Sequence, residues 1–150
     1  MGLPRWLGQL ILAQSRGGAE ALRFHMGLNT VTGIVIDAAI RIHVGLGPGL
    51  LESVYETILA RDLAGRGLLV ERQKSVSFDF EGLWFEDAFR VDLLVERSVV
   101  VEIKSVATIA SAHEKQLLTY LRLLDCRVGL LLNFGAAYMK DGIKRIANRA

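Results

Sequence analysis

Between Arg90 and Ser105 the chain reads RVDLLVERSVVVEIKS, and Asp92, Glu102 and Lys104 are the side chains in it whose types could do chemistry together. Carboxylates are what hard cations such as Mg²⁺ take as ligands, whereas an ammonium donates to a phosphate oxygen and has no lone pair for a metal. Whether the three meet depends on a hairpin. Arg90 to Val95 and Val99 to Lys104 are dense in Val, Leu and Ile, so they read as two strands with Glu96, Arg97 and Ser98 as the turn. With that turn, Asp92 lies across from Glu102 and Arg90 across from Lys104, and opposed residues of an antiparallel pair point to one face. Carboxylates placed in this way repel each other. A divalent cation between them, also taking the backbone carbonyl of Ile103, would relieve the repulsion. The same residues equally suit the solvated face of a half-buried strand, and a shorter turn would send Asp92 and Glu102 to opposite faces and leave only that reading.

The elements that must position these residues fit one domain. The chain has 150 residues, 51% hydrophobic and 23% charged, with two prolines and no repeat or low-complexity tract, which is a globular composition. A net charge of +2 is too small to draw nucleic acid by a global field, so such affinity needs a local basic patch. Cys126 is the one cysteine, which excludes an intrachain disulfide and suits a reducing cytoplasm; its apolar neighbours make it a buried structural thiol. No stretch approaches the roughly 20 apolar residues of a membrane span. Residues 1–25 read as an N-terminal extension, in which the apolar run after Arg5 is broken by Gly8 and Gln9 and lacks a signal cleavage site; residues 26–150 form the domain.

Apolar residues at helical spacing predict a helix from Asn29 to Val44, capped by Asn29, Thr30 or Thr32 and stopped by Gly45, Gly47 and Pro48. A second helix follows from about Leu50 to Ala64, with Leu51, Val54, Ile58, Leu59 and Leu63 as its apolar stripe and Glu52, Tyr55 and Glu56 on a common flank. Glu52 by itself is a favourable acid near a helix N-terminus. Leu69 to Phe80 and Leu83 to Val95 read as strands around the turn Glu81-Gly82, and the Asp92 hairpin comes next. Ser111-Ala112-His113-Glu114 has the form of a capping box for a third helix running to about Leu124, on which His113, Gln116 and Tyr120 share a polar face. RVGLLLNF, from Arg127 to Phe134, suits a strand buried on both faces. Met139 to Asn148 is expected to be a terminal helix, whose Lys140, Lys144 and Arg145 (with Arg149 beyond it) form either a phosphate-binding surface or a solvated face.

An acid on a helix, three strands carrying Asp…Glu-x-Lys, a helix and a further strand, in that order, resemble the PD-(D/E)XK nuclease core. Gly49 to Tyr55 reads G-x-x-E-x-x-Y, and this with the flanking text IDAAIRIHVGLGPGLLESVYE and HEKQLLTYLRLL resembles the GxxExxY proteins, a bacterial and archaeal branch of that superfamily. Gln116 to Tyr120 is similar to the Q-x-x-x-Y motif of exonuclease-like branches. The resemblance covers about Asn29 to Asn148; Val91 stands where the superfamily name has proline.

The resemblance implies an α/β, restriction-endonuclease-like fold, a mixed sheet of about four strands flanked by helices in the order α-α-β-β-β-α-β-α. It implies Mg²⁺ or Mn²⁺ held by Asp92, Glu102 and the Ile103 carbonyl, with Glu52 as a further ligand or water-holding acid. Lys104 would orient the attacking water or neutralise the phosphate, and Gln116 and Tyr120 would position the substrate or the lysine, with Tyr55 and His113 in support. The expected activity is phosphodiester hydrolysis, in DNA rather than RNA, in a repair, recombination or defence setting. Two rivals stand beside it: a non-catalytic nucleic-acid-binding or interaction module on the same fold, and a structural oligomerisation domain. The oligomeric state is left open, with a homodimer one possibility.

Overall fold

The computed structural model describes residues 26–149, so the expected N-terminal extension lies outside the described residues. Two helices come first, α1 (Leu28–Leu46) and α2 (Glu52–Gly65). A meander of β1 (Val70–Phe80), β2 (Leu83–Val95) and β3 (Val99–Lys104) follows, then α3 (Ser111–Leu124) and β4 (Val128–Asn133). A short 3₁₀ turn, Met139–Gly142, leads into β5 (Ile143–Ala147). The five strands form one sheet in chain order, antiparallel except for β3 and β4, which run parallel and are joined through α3.

The sheet separates two apolar layers. Val31, Val35, Ala39 and Ile42 of α1 and Tyr55, Leu59 and Leu63 of α2 pack on Leu93, Val95, Val99, Val101, Leu130 and Leu132. On the other face Leu117 and Leu121 of α3 cover Val91, Leu94, Val100 and Leu131. Consecutive residues of β4 thus serve opposite layers and all six are buried, as expected for a strand with helices on both sides. Gly129 admits α3 closely, since a Cβ there would stand 3.0 Å from the Leu117 side chain.

Four local expectations are corrected. The terminal helix is instead the 3₁₀ turn and β5, which pairs with β4 from Val128↔Ala147 to Leu132↔Ile143 and makes the sheet one strand wider. Helix α1 starts one residue before Asn29 with Gly27 as its N-cap and no side-chain cap, so Asn29 and Thr32 lie inside it. Helix α3 starts at Ser111, so Ser111 cannot cap it; His113 Nδ1 accepts the Ala110 N–H at 3.3 Å, while Glu114 reaches Lys144 at 3.9 Å. The buried stripe of α2 is Tyr55, Leu59 and Leu63 rather than one containing Leu51, which is 74% exposed.

Candidate active site

The turn of Glu96, Arg97 and Ser98 forms as its length suggests, with Glu96 and Arg97 both in the left-handed region, and the ladder runs Val95↔Val99, Leu94↔Val100, Leu93↔Val101. There it stops. At the next position the carboxylates replace the backbone ladder: Asp92 N–H donates to Glu102 Oε1 at 3.1 Å, and Ile103 N–H donates to Asp92 Oδ2 at 2.8 Å. The strands fork beyond this point, so the pairing expected between Arg90 and Lys104 does not form; Arg90 pairs with Ser75 of β1. In an extended strand a residue's N–H and C=O point to the same side. The Ile103 carbonyl is therefore turned, like its N–H, into the fork.

Burial sets the electrostatics. Glu102 is 7% exposed, and loss of water together with the Asp92 charge pushes its pKa up to about 8, against the pull of the Asp92 N–H and the Lys104 ammonium. The bond from Asp92 N–H to Glu102 Oε1 is what joins the two residues where the ladder ends. Burial also raises Asp92; its hydrogen bond from Ile103 opposes this, and the Glu56 and Glu52 charges add to it. Tyr120 stacks on Phe89 with ring centroids 4.2 Å apart, and its hydroxyl is pushed up by burial and then by the Glu102 and Asp92 charges, so it faces the acid pair from α3.

On the α2 side, Asp92 opens into a cleft of about 650 Å³ lined by Glu52, Glu56, Gln73 and Ser105 among others. The loop before α2 is held there by Tyr55. Its hydroxyl donates to Gly47 O at 2.6 Å and accepts from Leu50 N–H at 3.1 Å, while its ring stacks on Phe134 at 4.3 Å. Ser105 Oγ donates to Leu50 O at 2.7 Å, tying this loop to the end of β3. Gly49 has φ +99°, a conformation that other residues seldom take. In Gly49-x-x-Glu52-x-x-Tyr55, then, the glycine and tyrosine shape the loop and Glu52, exposed at the start of α2, presents its carboxylate to the cleft.

The structure thus brings Asp92, Glu102, Lys104, Tyr120 and the Ile103 carbonyl to the fork, with Glu52 across the cleft. Tyr55 is fully buried in the loop clamp, His113 caps α3, and Gln116 is exposed one turn before Tyr120. The basic residues do not form one surface. Lys144 and Arg145 are neighbours on β5 and so point to opposite faces, Lys144 toward Glu114 and Arg145 to Asn29 Oδ1 at 3.2 Å, while Lys140 lies exposed in the 3₁₀ turn. Glu56 and Gln73 were not singled out by sequence reasoning as site residues. Glu56 is 6% exposed and accepts from Arg72 at 2.9 Å and from Gln73.

Two carboxyl groups and a strand-end carbonyl are hard oxygen donors, and Mg²⁺ or Mn²⁺ is commonly held by one or two protein carboxylates with waters completing the shell. The donor set fits such an ion. Among the described residues no three His, Cys, Asp or Glu side chains form a group that could hold a metal ion.

A model of the PD-(D/E)XK nuclease superfamily matches residues 29–146. The chain belongs to that superfamily. The matched range takes in every element from α1 to nearly the end of β5, with the fork near its middle. Among solved structures, that of SSO0001 aligns with 96% of this chain at 17% identity and a TM-score of 0.44, and the chain spans 59% of its length. No curated protein matches the chain. No helix among the described residues is long and apolar enough to cross a membrane.

Proposed function

We propose that this PD-(D/E)XK protein is a Mg²⁺- or Mn²⁺-dependent nuclease of the GxxExxY branch that hydrolyses phosphodiester bonds in DNA, working in the cytoplasm in repair, recombination or defence. The observation that carries the reading is the contact of Asp92 with Glu102 where the β2–β3 ladder ends. A buried acid beside a half-buried one favours either a proton or a cation, and Lys104 lies within electrostatic reach.

Asp92, Glu102 and the Ile103 carbonyl would hold the ion. A bound divalent cation supplies Lewis-acid stabilisation of phosphate oxygens and makes water a stronger acid. Lys104 neutralises charge on the scissile phosphate and orients the attacking water. Glu52, across the cleft, accepts a hydrogen bond from that water. Tyr120 borders the acids from α3, and Gln116, one turn earlier, contacts the incoming strand. Tyr55 keeps Glu52 in place through the loop, and His113 fixes the start of the helix that carries Gln116 and Tyr120.

A binding module on the same fold is the reading to separate from this one, and Lys104 separates them. Lys104→Ala should leave Mn²⁺ affinity nearly intact while cleavage of linear DNA falls by about two to three orders of magnitude, the usual cost of removing one electrostatic stabiliser. Glu102→Ala should lose both metal and cleavage. If the wild type binds DNA but cuts neither linear nor circular, single- nor double-stranded DNA with Mn²⁺ present, the binding module is the better account.

A further inference from the structure

Adjacent residues of a regular strand point to opposite faces. Arg72 and Gln73 break this rule, because both reach Glu56 of α2: Arg72 Nη2 donates to Glu56 Oε2 at 2.9 Å and Gln73 Nε2 donates to Glu56 Oε1. The break is local. Gln73 has φ 47°, in the left-handed region that a non-glycine residue adopts at a cost of about 1 kcal/mol or more. The register is the same on either side of it, with Arg72↔Leu93 and Lys74↔Val91, which places Gln73 opposite Asp92.

The partner strand slips at the same point. Val91 and Leu94 both pack on the α3 layer, whereas Leu93 and Val95 pack on the α1–α2 layer, so the alternation of β2 shifts at Asp92. The two irregularities cancel in register and turn both side chains toward the cleft. There Gln73 Nε2 also donates to Asp92 Oδ1 at 3.3 Å, while Asp92 Oδ2 is held by Ile103 N–H. One carboxamide nitrogen bridges the buried Glu56 and the cleft-facing Asp92.

From this we propose that Gln73 is a positioning residue for the metal site: anchored on Glu56, it fixes the orientation of the Asp92 carboxylate toward the fork, and the strained backbone at Gln73 is what lets it do so. The inference rests on the nuclease reading, in which Asp92 is a ligand. Backbone strain at an interior strand position persists where the surroundings over-determine it, and here they do so through a hydrogen bond to that ligand. Groups that orient metal ligands typically change metal affinity by about 10- to 100-fold when removed. The 3.3 Å contact belongs at the low end of that range.

The test is Mn²⁺ titration by calorimetry of the full chain, comparing wild type, Gln73→Met, Gln73→Asn, Arg72→Met and Asp92→Asn, with folding checked by circular dichroism. Gln73→Met keeps the length of the side chain without its donor and should weaken Mn²⁺ binding about tenfold. Gln73→Asn, too short to span both acids, should do the same and serves if the methionine variant does not fold. Arg72→Met removes the other partner of Glu56 and should lower the melting temperature while leaving the Mn²⁺ Kd within about twofold. Wild-type affinity in a folded Gln73 variant, or equal weakening by Arg72→Met, overturns the inference while leaving the metal site standing. If the wild type binds no Mn²⁺, or Asp92→Asn binds it equally well, the reading of Asp92 as a ligand falls and this inference falls with it.

Discussion

In the metal-free protein Glu102 should make stability depend on pH in an unusual direction. Its folded pKa of about 8 lies above the ordinary 4.5, so the native state keeps a proton that the unfolded chain releases between those values. Stability is then greatest below about pH 4.5 as far as this group is concerned, falls as pH rises through the window, and levels off above 8. Every pH unit over which unfolding releases this one proton changes stability by about 1.4 kcal/mol, so the whole window amounts to something on the order of 5 kcal/mol. Asp92 is also raised, chiefly by burial, and changes stability in the same direction. Glu102→Gln removes the charge and keeps an acceptor for the Asp92 N–H. Urea denaturation in EDTA at pH 5, 6, 7 and 8 should show the wild-type midpoint falling steadily. The variant should show only the smaller slope left by Asp92, matching the wild type near pH 5 and exceeding it by several kcal/mol at pH 8. Parallel profiles for the two proteins would refute the account of Glu102 as a buried acid held against Asp92.

Saturating Mn²⁺ replaces the proton at the pair, so at a hundredfold excess over Kd it should stabilise the wild type by about 2.7 kcal/mol, and thermal denaturation of Asp92→Asn should show most of that gain gone. Tyr55→Phe removes the hydroxyl that holds Gly47 O and Leu50 N–H; it should cost about 1–3 kcal/mol in urea and lower cleavage through Glu52 while leaving Mn²⁺ affinity unchanged. Gly135→Ala drives a methyl group into the Val106 backbone and should destabilise by about 1–3 kcal/mol, read from the same denaturation. Lys144→Ala and Arg145→Ala point from opposite faces of β5, so neither should change DNA affinity by more than about twofold in a filter-binding assay at physiological salt.

Much of the site was legible because a single local feature governs it. The turn of Glu96, Arg97 and Ser98 is flanked by Val-rich runs, and its length sets the register as far as Leu93↔Val101, one position short of Asp92 and Glu102, which meet through the Asp92 N–H. The doubly buried β4 was equally plain, since a run without polar residues has no face to give to water. The segment after Met139 misled because Ile143 and Ile146 are spaced as on a helix, with cations between them. Tertiary pairing overrode that pattern: β4 leaves an edge to be covered, and Gly142 packs so tightly against Asn133 that a Cβ there would strike its carbonyl. Gln73 carried no signal at all, because a left-handed backbone at a glutamine has no counterpart in composition or periodicity. Glu56 reads in the sequence as part of the flank beside the motif, since only the fold shows it buried between Arg72 and Gln73. The G-x-x-E-x-x-Y string marked the right place, yet a sequence does not distinguish the residue that shapes the loop, Tyr55, from the one that faces the cleft, Glu52.

The claim at the centre of this account is that Asp92, Glu102 and the Ile103 carbonyl hold the catalytic ion. Anomalous diffraction from crystals grown with Mn²⁺ at neutral pH tests it directly. The account predicts a peak in the fork between β2 and β3, within bonding distance of one oxygen from each of those three residues, with Lys104 nearby and unliganded. A peak elsewhere in the protein, or none at saturating Mn²⁺, would contradict it.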